Sequence, residues 1–335
     1  MDLIISEFGS FLGKKSERLV VKENGKVKEE MPFFKVNQVL ITSNGVSLSS
    51  DVINECAVAG IPITFLSSDG KPYAIMQSPH LQGTVITRRE QILAYNDSRG
   101  FELAKQFALG KISNQINLLK YVSKYRKTAN PQAYEMLVSS ISKIDDLRKT
   151  LEKLAGQSIE DARENILNLE GRSASIYWDS LSRIIPSNYG FSRREKRGAT
   201  DLVNSALNYG YGILYSQVAV AIALAGLDPY AGFLHADRSG KPSLVLDLIE
   251  EFRQPVVDRT ILGMLGKNVD WRITDGKLDD KTRKDLASRV IERLEAKETY
   301  QRKKFTLRTI IQRQARSIAS FVRGEKPYKP FVAGW

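Results

Sequence analysis

Residues 89–125, REQILAYNDSRGFELAKQFALGKISNQINLLKYVSKY, mark the point at which the chain changes character. Phe101, Ala104, Phe107, Ala108, Ile112, Ile116, Leu119 and Val122 recur at the spacing that lines one face of an α-helix. Helical patterns continue nearly to residue 323, broken at Pro131, across 186–200 and at Pro255. Upstream the pattern is that of short strands. ERLVVKENGKVKEEM sets Asn24-Gly25 between two extended runs, and Asn-Gly accepts the positive φ that a tight hairpin turn needs at both central positions. A second Asn-Gly follows at 44–45, and PITFLSSDGKPYAIM reads as strand, turn, strand with Asp69-Gly70 at the tip. SSDVINECAVAG reads as a helix capped by Ser50 and ended by Gly60. The expected fold class is α+β: a small β-rich N-terminal domain over 1–85, then a larger all-α domain over 86–335. GTVITRREQ is the expected strand-to-helix junction, and the Pro- and Gly-rich tail is irregular.

A chain of 335 residues has room for about two domains. With 42% hydrophobic and 26% charged residues it has the composition of a folded globular protein. The net charge of +12 favours a polyanionic partner, nucleic acid above all. The one cysteine, Cys56, allows neither a disulfide framework nor a cysteine-rich zinc site and reads as a small buried hydrophobe. MDLIISEFG has no basic region leading into an apolar run, and no window of about 18 apolar residues stands out, so a cytoplasmic location is expected.

Two histidines are present, His80 and His235. His235 lies in GFLHADRSGKPSLVLDLIEEF, residues 232–252, ahead of a helix that Ser243 caps and Leu244 begins. Leu244, Leu248 and Phe252 share one face, with Val245 and Ile249 beside it; Asp247 and Glu250 are neighbours on another. The wide apolar arc squeezes these acids into a strip beside the core. The stretch fits either a metal site or a structural histidine ahead of an acidic helix. Glu170 is a candidate third acid, at the edge of the stripe Ile159, Ala162, Ile166, Leu169, Ser173 and Tyr177. Gly171 beside it costs a helix about 1 kcal/mol relative to Ala, so either a helix–helix contact or a ligand's close approach is called for.

Arg193, Arg194, Lys196 and Arg197 form a basic loop ahead of a helix starting near Asp201 and carrying Asn204, Tyr209 and Tyr211. From Thr299 to Gly324 there is no acid, while Arg302, Lys303, Lys304, Arg308, Arg313, Arg316 and Arg323 interleave with apolar residues. This reads as an amphipathic helix with a cationic face, for phosphates first and a membrane surface second.

Taken in order, Glu170-Gly171, the basic loop with Asp201 and Asn204, GFLH and SLVLDLIEEFR resemble the CRISPR-associated integrase family, Cas one. The resemblance spans essentially the whole chain. It implies a metal-dependent DNA endonuclease and integrase that inserts new spacers into CRISPR arrays through attack of a 3′-hydroxyl on a phosphodiester at the repeat boundary. The metal ligands it implies are Glu170, His235 and Glu250, with Asp247 as a further catalytic acid beside them. One imidazole with carboxylate oxygens suits Mg²⁺ or Mn²⁺. It also implies a homodimer formed through the β-rich domain, two such dimers around a dimeric Cas two partner in a heterohexamer, and no membrane. Prespacer and repeat DNA are assigned to Arg193, Arg194, Arg197, Arg302, Lys303, Arg308, Arg313 and Arg316. Arg197-Gly198-Ala199-Thr200 departs from the family's frequent Arg-Pro-Pro, which leaves the loop's conformation open. A general nuclease of branched DNA or RNA, or a non-catalytic DNA-architectural protein, would use many of the same residues. The tail, with Tyr328, Phe331 and Trp335, reads as a partner-contact segment or a frayed end.

Overall fold

The computed structural model describes all residues except 77, 79–84, 197, 268, 275 and 335. His80, Arg197, Trp335 and the start of GTVITRREQ lie outside the described residues; Val85 onward is already helical.

The first part builds two four-stranded sheets. Its strands are β1 (Asp2–Ile5), β2 (Phe11–Lys15), β3 (Arg18–Glu23), β4 (Lys26–Pro32), β5 (Gln38–Ile41), β6 (Ser47–Leu48), β7 (Ile63–Leu66) and β8 (Pro72–Met76). One sheet runs β4-β3-β2-β6 and the other β1-β5-β7-β8, with β1, β5 and β7 parallel. Asn24 (φ 50°) and Gly25 (φ 76°) make the tight β3–β4 turn that Asn-Gly predicts. Asn44-Gly45 joins strands of different sheets, so that turn is not a hairpin. Helix α1 (Ser50–Ala59) is capped by Ser49, not Ser50, because Ser49 is the last extended residue and its hydroxyl accepts the Val52 N–H. Gly60 closes it in the left-handed conformation. Cys56 is buried, and desolvation pushes its thiol up to about 11.

Strand alternation decides how this part meets the rest. Leu3, Val39, Ile41 and Ile63 fill the space under α1 and the other sheet, while Leu40 and Leu66 point the other way into the helical core. The β1-β5-β7-β8 sheet is therefore a plane between two cores. The β7–β8 turn leans on the long helix α7 (Leu202–Leu224). A Cβ on Gly212 would lie 1.6 Å from the Gly70 carbonyl oxygen, so only glycine permits that approach.

The second part is mostly helical. It comprises α2 (Val85–Ala94), α3 (Ser98–Lys124), α4 (Arg126–Ala129), α5 (Pro131–Lys153), α6 (Ile159–Ser182), α7 (Leu202–Leu224), α8 (Ser243–Ile249), a π-helical turn (Arg253–Asp258), α9 (Arg259–Leu265), α10 (Asp280–Glu295) and α11 (Leu307–Val322). Two small hairpins interrupt it, β9–β10 (Ile273–Thr274, Lys277–Leu278) and β11–β12 (Lys297–Tyr300, Lys303–Thr306). The second hairpin corrects the expectation of one cationic helix from 299 to 324. Gln301 (φ 49°) and Arg302 (φ 65°) form its turn without the glycine or asparagine that would announce it. Helix α3 packs on α5 and α6 and touches the π turn. Helix α7 is long and apolar enough to cross a membrane by length and composition, but 67% of that stretch is buried inside the protein. It is the central core helix.

Candidate metal centre

Helix α8 begins at Ser243, one residue before the expected start, and Ser243 does not cap it. Its hydroxyl instead donates to the Ala236 carbonyl at 3.3 Å and closes the loop. Gly232 makes that closure possible, since a Cβ there would sit 2.5 Å from the Ser243 Cβ. Leu244, Val245, Leu248 and Phe252 take the core face. Asp247 is fully buried as well, and the preceding loop supplies its donors. Its Oδ2 accepts the N–H groups of Phe233 (2.6 Å) and Leu234 (3.1 Å), and its Oδ1 accepts that of His235 (2.9 Å). The His235 ring Nδ1 lies 2.7 Å from the same Oδ1. A carboxylate can only accept, so Nδ1 carries the proton and Nε2 keeps a lone pair for a ligand. Arg163 steadies the loop by donating to the Phe233 carbonyl.

Three elements deliver the second half of the centre. Glu170 comes from α6, Lys111 from α3, and Glu250 from the end of α8. The Lys111 ammonium pairs with Glu170 Oε1 and sits 2.6 Å from Glu250 Oε2. Arg253 Nε lies 3.0 Å from Glu250 Oε1, and its guanidinium rests 4.5 Å above the Tyr211 ring. Burial works to raise the Glu250 carboxyl, but Arg253, then Lys111 and His235, outweigh it and hold the group well below the usual carboxylate range. Burial likewise works to lower Lys111, and Glu250 and Glu170 reverse it. Lys196, on the basic loop, lies within electrostatic range of the cluster; desolvation, then Arg253, lowers its pKa against the pull of Glu250. Gly171 faces open space, with nothing within 4 Å of a Cβ, so the helix–helix explanation for it falls.

The support behind the centre is polar and buried. Tyr177 donates to Asp258 at 2.7 Å, and Tyr211 donates to its other oxygen. Desolvation pushes Asp258 up to about 6 despite both tyrosines. Glu251 points away from Glu250 and collects Tyr328 Oη (2.5 Å), Gln314 Nε2 (2.8 Å) and the Phe331 N–H (2.8 Å). Asn114 of α3 donates to the carbonyls of Glu251 (2.9 Å) and Phe331 (2.8 Å) and accepts the Ala333 N–H. The tail is thus an irregular strap inside the core, with Tyr328, Phe331 and Ala333 buried. Its described residues correct the frayed-end reading: the buried Glu251 carboxylate needs the donors that the tail brings.

The expected DNA-contact residues divide. Arg193 is exposed beside Glu195, and Arg302 and Lys303 are exposed on the β11–β12 hairpin. Arg194 turns inward, bonded to Asn204 and Asn208 and set against Trp178 and Tyr211. Arg308 is committed to Asp2, Gln217 and Glu295 and so ties β1 to α7 and α11. Arg313 lies 3.9 Å above the Phe305 ring, and Arg316 is exposed. Arg308, Arg313, Arg316 and Lys326 line a groove of about 620 Å³ with Gln38 and Gln217.

Among the described residues, no three His, Cys, Asp or Glu side chains stand close enough together to hold an ion as they are. The donor chemistry nonetheless fits an oxygen-preferring divalent cation. Two carboxylates already converge on one positive charge. Glu250 Oε2 is buried and receives no directed hydrogen bond, and the neutral His235 ring offers Nε2 as a third donor. Lys111, Arg253 and Glu251 were not singled out from sequence as site residues, and Lys196 only as part of the basic loop. The available signal was a lysine on the buried stripe of α3, between Ala108 and Ile112.

The family model described as CRISPR associated protein Cas1 matches residues 3–292. The chain belongs to the Cas1 family. It is 39% identical to the CRISPR-associated endonuclease Cas1 1 of Archaeoglobus fulgidus, over 100% of both chains. Among solved structures it resembles a casposase bound to integration product, with a TM-score of 0.81, 24% identity, and coverage of 99% of this chain and 93% of that one. It also resembles a chain of a Cas6-RT-Cas1–Cas2 complex, with a TM-score of 0.78, 17% identity, and coverage of 99% of this chain and 36% of that one. At these identities the structural likenesses establish the Cas1 fold, the β-rich part followed by the mostly helical part.

Proposed function

We propose that the chain is a metal-dependent DNA endonuclease and integrase that inserts spacers into CRISPR arrays, with a 3′-hydroxyl of incoming DNA attacking a phosphodiester at the repeat boundary. The observation that carries this reading is the convergence of Glu170 and Glu250 on one cation, beside a histidine whose ring Asp247 orients. Glu170, His235 and Glu250 would hold Mg²⁺ or Mn²⁺, which when bound supplies Lewis-acid charge to the scissile phosphate. Asp247 fixes the imidazole and the loop that carries it. Arg253 and Lys196 place positive charge beside the phosphate position, where it offsets developing negative charge. Arg193, Arg302, Lys303 and Arg316 are the exposed cations suited to the DNA backbone; Arg194 and Arg308 serve as scaffold.

The reading keeps a domain over 1–85 and one over 86–335; the separate β-rich core under α1 supports it, although Leu40 and Leu66 also join the helical core. The β-rich part exposes Phe8, Phe34 and Tyr73, which supports its use as the homodimer surface. The reading includes a Cas2 partner in a heterohexamer in the cytoplasm; the Cas1–Cas2 complex among the similar structures supports the partner. A strand-transfer assay with a free or a dideoxy-blocked 3′ end, in Mg²⁺ or Mn²⁺, tests the proposal. Joining is expected only with the free end and the metal, and is lost in Glu170→Ala, His235→Ala and Glu250→Ala. Cleavage indifferent to the blocked end would favour a general nuclease; joining that persists in all three folded variants would remove the site.

A further inference from the structure

We infer that Lys111 is a built-in surrogate cation: its ammonium holds Glu170 and Glu250 together until a divalent metal displaces it. This rests on the metal-site reading above. Lys111 projects from the buried stripe of α3, and its side chain is only 12% exposed. Its ammonium bridges carboxylates from α6 and α8 that belong to no common element. Lys111, Arg253 and Lys196 face Glu170, Glu250 and the His235-bound Asp247, three charges of each sign, so the cluster is electrically balanced without a metal. A divalent ion arriving beside Lys111 and Arg253, the two cations on Glu250, would leave it strongly positive, so one of them must leave.

Packing decides which. Arg253 is pinned above the Tyr211 ring and beside Glu250 Oε1. Neither Lys111 on Glu250 Oε2 nor Arg253 Nε on Oε1 makes a directed hydrogen bond, so the difference lies in the stem. Lys111, bonded to Glu170 Oε1, hangs on a flexible four-carbon chain, with no ring among the described residues beneath its ammonium. The helix below it cannot slide. A Cβ on Gly110 would lie 2.8 Å from Pro330 Cβ and 3.0 Å from Glu251 Cγ, so the side chain withdraws while the backbone stays. Lys111 would then set the threshold concentration for metal loading and keep the two carboxylates from repelling each other in the metal-free protein.

The test is Mn²⁺ binding to the full chain, read by electron paramagnetic resonance of free Mn²⁺, with Tm measured in EDTA and in saturating Mn²⁺. Lys111→Met is expected to bind Mn²⁺ at least 10-fold more tightly than the parent chain. Its Tm should be lower in EDTA, and the rise on adding Mn²⁺ larger. Equal or weaker binding overturns the inference. Should Lys111→Met fail to fold in EDTA, Lys111→Arg keeps the charge and is expected to bind Mn²⁺ no more tightly than the parent; tighter binding overturns the inference. Glu170→Gln and His235→Ala are run alongside. If both bind Mn²⁺ like the parent, the metal-site reading has failed and this inference with it. If they lose binding while Lys111→Met gains none, only the surrogate-cation role has failed.

Discussion

Replacing Asp247 by Asn tests whether that carboxylate sets the protonation pattern of His235. The two carboxylate oxygens accept from four donors: two N–H groups on Oδ2, and one N–H plus the ring Nδ1 on Oδ1. An asparagine has one oxygen and one NH₂, so it must choose an orientation. With its oxygen in the Oδ2 position it keeps Phe233 and Leu234 but turns NH₂ toward His235. The reverse orientation would orphan two buried N–H groups and cost about twice as much. In the better orientation the His235 backbone N–H loses its acceptor, for about 2–3 kcal/mol. The ring can recover its own contact only by accepting the amide hydrogen on Nδ1, which moves the ring proton to Nε2 and blocks it as a ligand. Asp247→Asn is therefore expected to lose about 2–3 kcal/mol in urea unfolding and to invert the tautomer. Metal affinity should fall by about 10–100-fold. Side-chain ¹⁵N spectra in EDTA at pH 8.5 read the tautomer directly, and with two histidines in the chain His235→Ala assigns the signals. Unfolding within about 0.5 kcal/mol of the parent, or a proton still on Nδ1, would refute the reasoning.

Asp258 offers a pH test. Its folded pKa is raised from 3.8 to about 6. Its contribution to stability is fully present below pH 3.8 and is lost as pH rises through about 6, a change of about 3 kcal/mol. Stability in urea unfolding from pH 4 to 7 should fall with rising pH in both chains, because burial also pushes Glu251 up to about 7, but by about 3 kcal/mol less in Asp258→Asn than in the parent. Gly171→Ala meets no neighbour, so it should stabilise α6 by up to about 1 kcal/mol in thermal unfolding. On the proposed function DNA would approach over that open side, so strand transfer should show reduced joining. Arg308→Ala leaves Asp2 buried without its cation and should cost about 3 kcal/mol in urea unfolding. Arg316→Ala should leave stability unchanged, while a salt titration of DNA binding loses about one unit of slope.

The fold was legible where periodicity was long or a turn residue was diagnostic. The stripe on α3 and the Asn24-Gly25 hairpin are read directly from residue order. The β11–β12 hairpin was not, because its turn uses Gln301 and Arg302 at positive φ and its strands are four residues each. In the candidate site, the order of Glu170, His235, Asp247 and Glu250 was visible in the sequence, but their mutual arrangement was not. Lys111 escaped because its role depends on α3 meeting α6 and α8, contacts between residues 59 or more apart. Arg194 and Arg308 look like any other surface cation in a basic run. Only packing against Tyr211, Trp178 and Asp2 reveals them as interior supports. Hydrophobic order along the chain is local information, whereas the partner of a buried charge is not.

The strap that ends the chain bears on how the protein is made. A chain is synthesised from its N-terminus, and folding begins before the last residues appear. Here Glu170, His235, Asp247 and Glu250 are all translated before Tyr328, Phe331 and Ala333, which lock Glu251 and Asn114. A nascent chain therefore holds every candidate ligand while the turn beneath Glu250 is still unfastened. The ribosome delays the finished centre until residues 328–333 have emerged, and a chain stalled before them carries the residues of the site without its geometry.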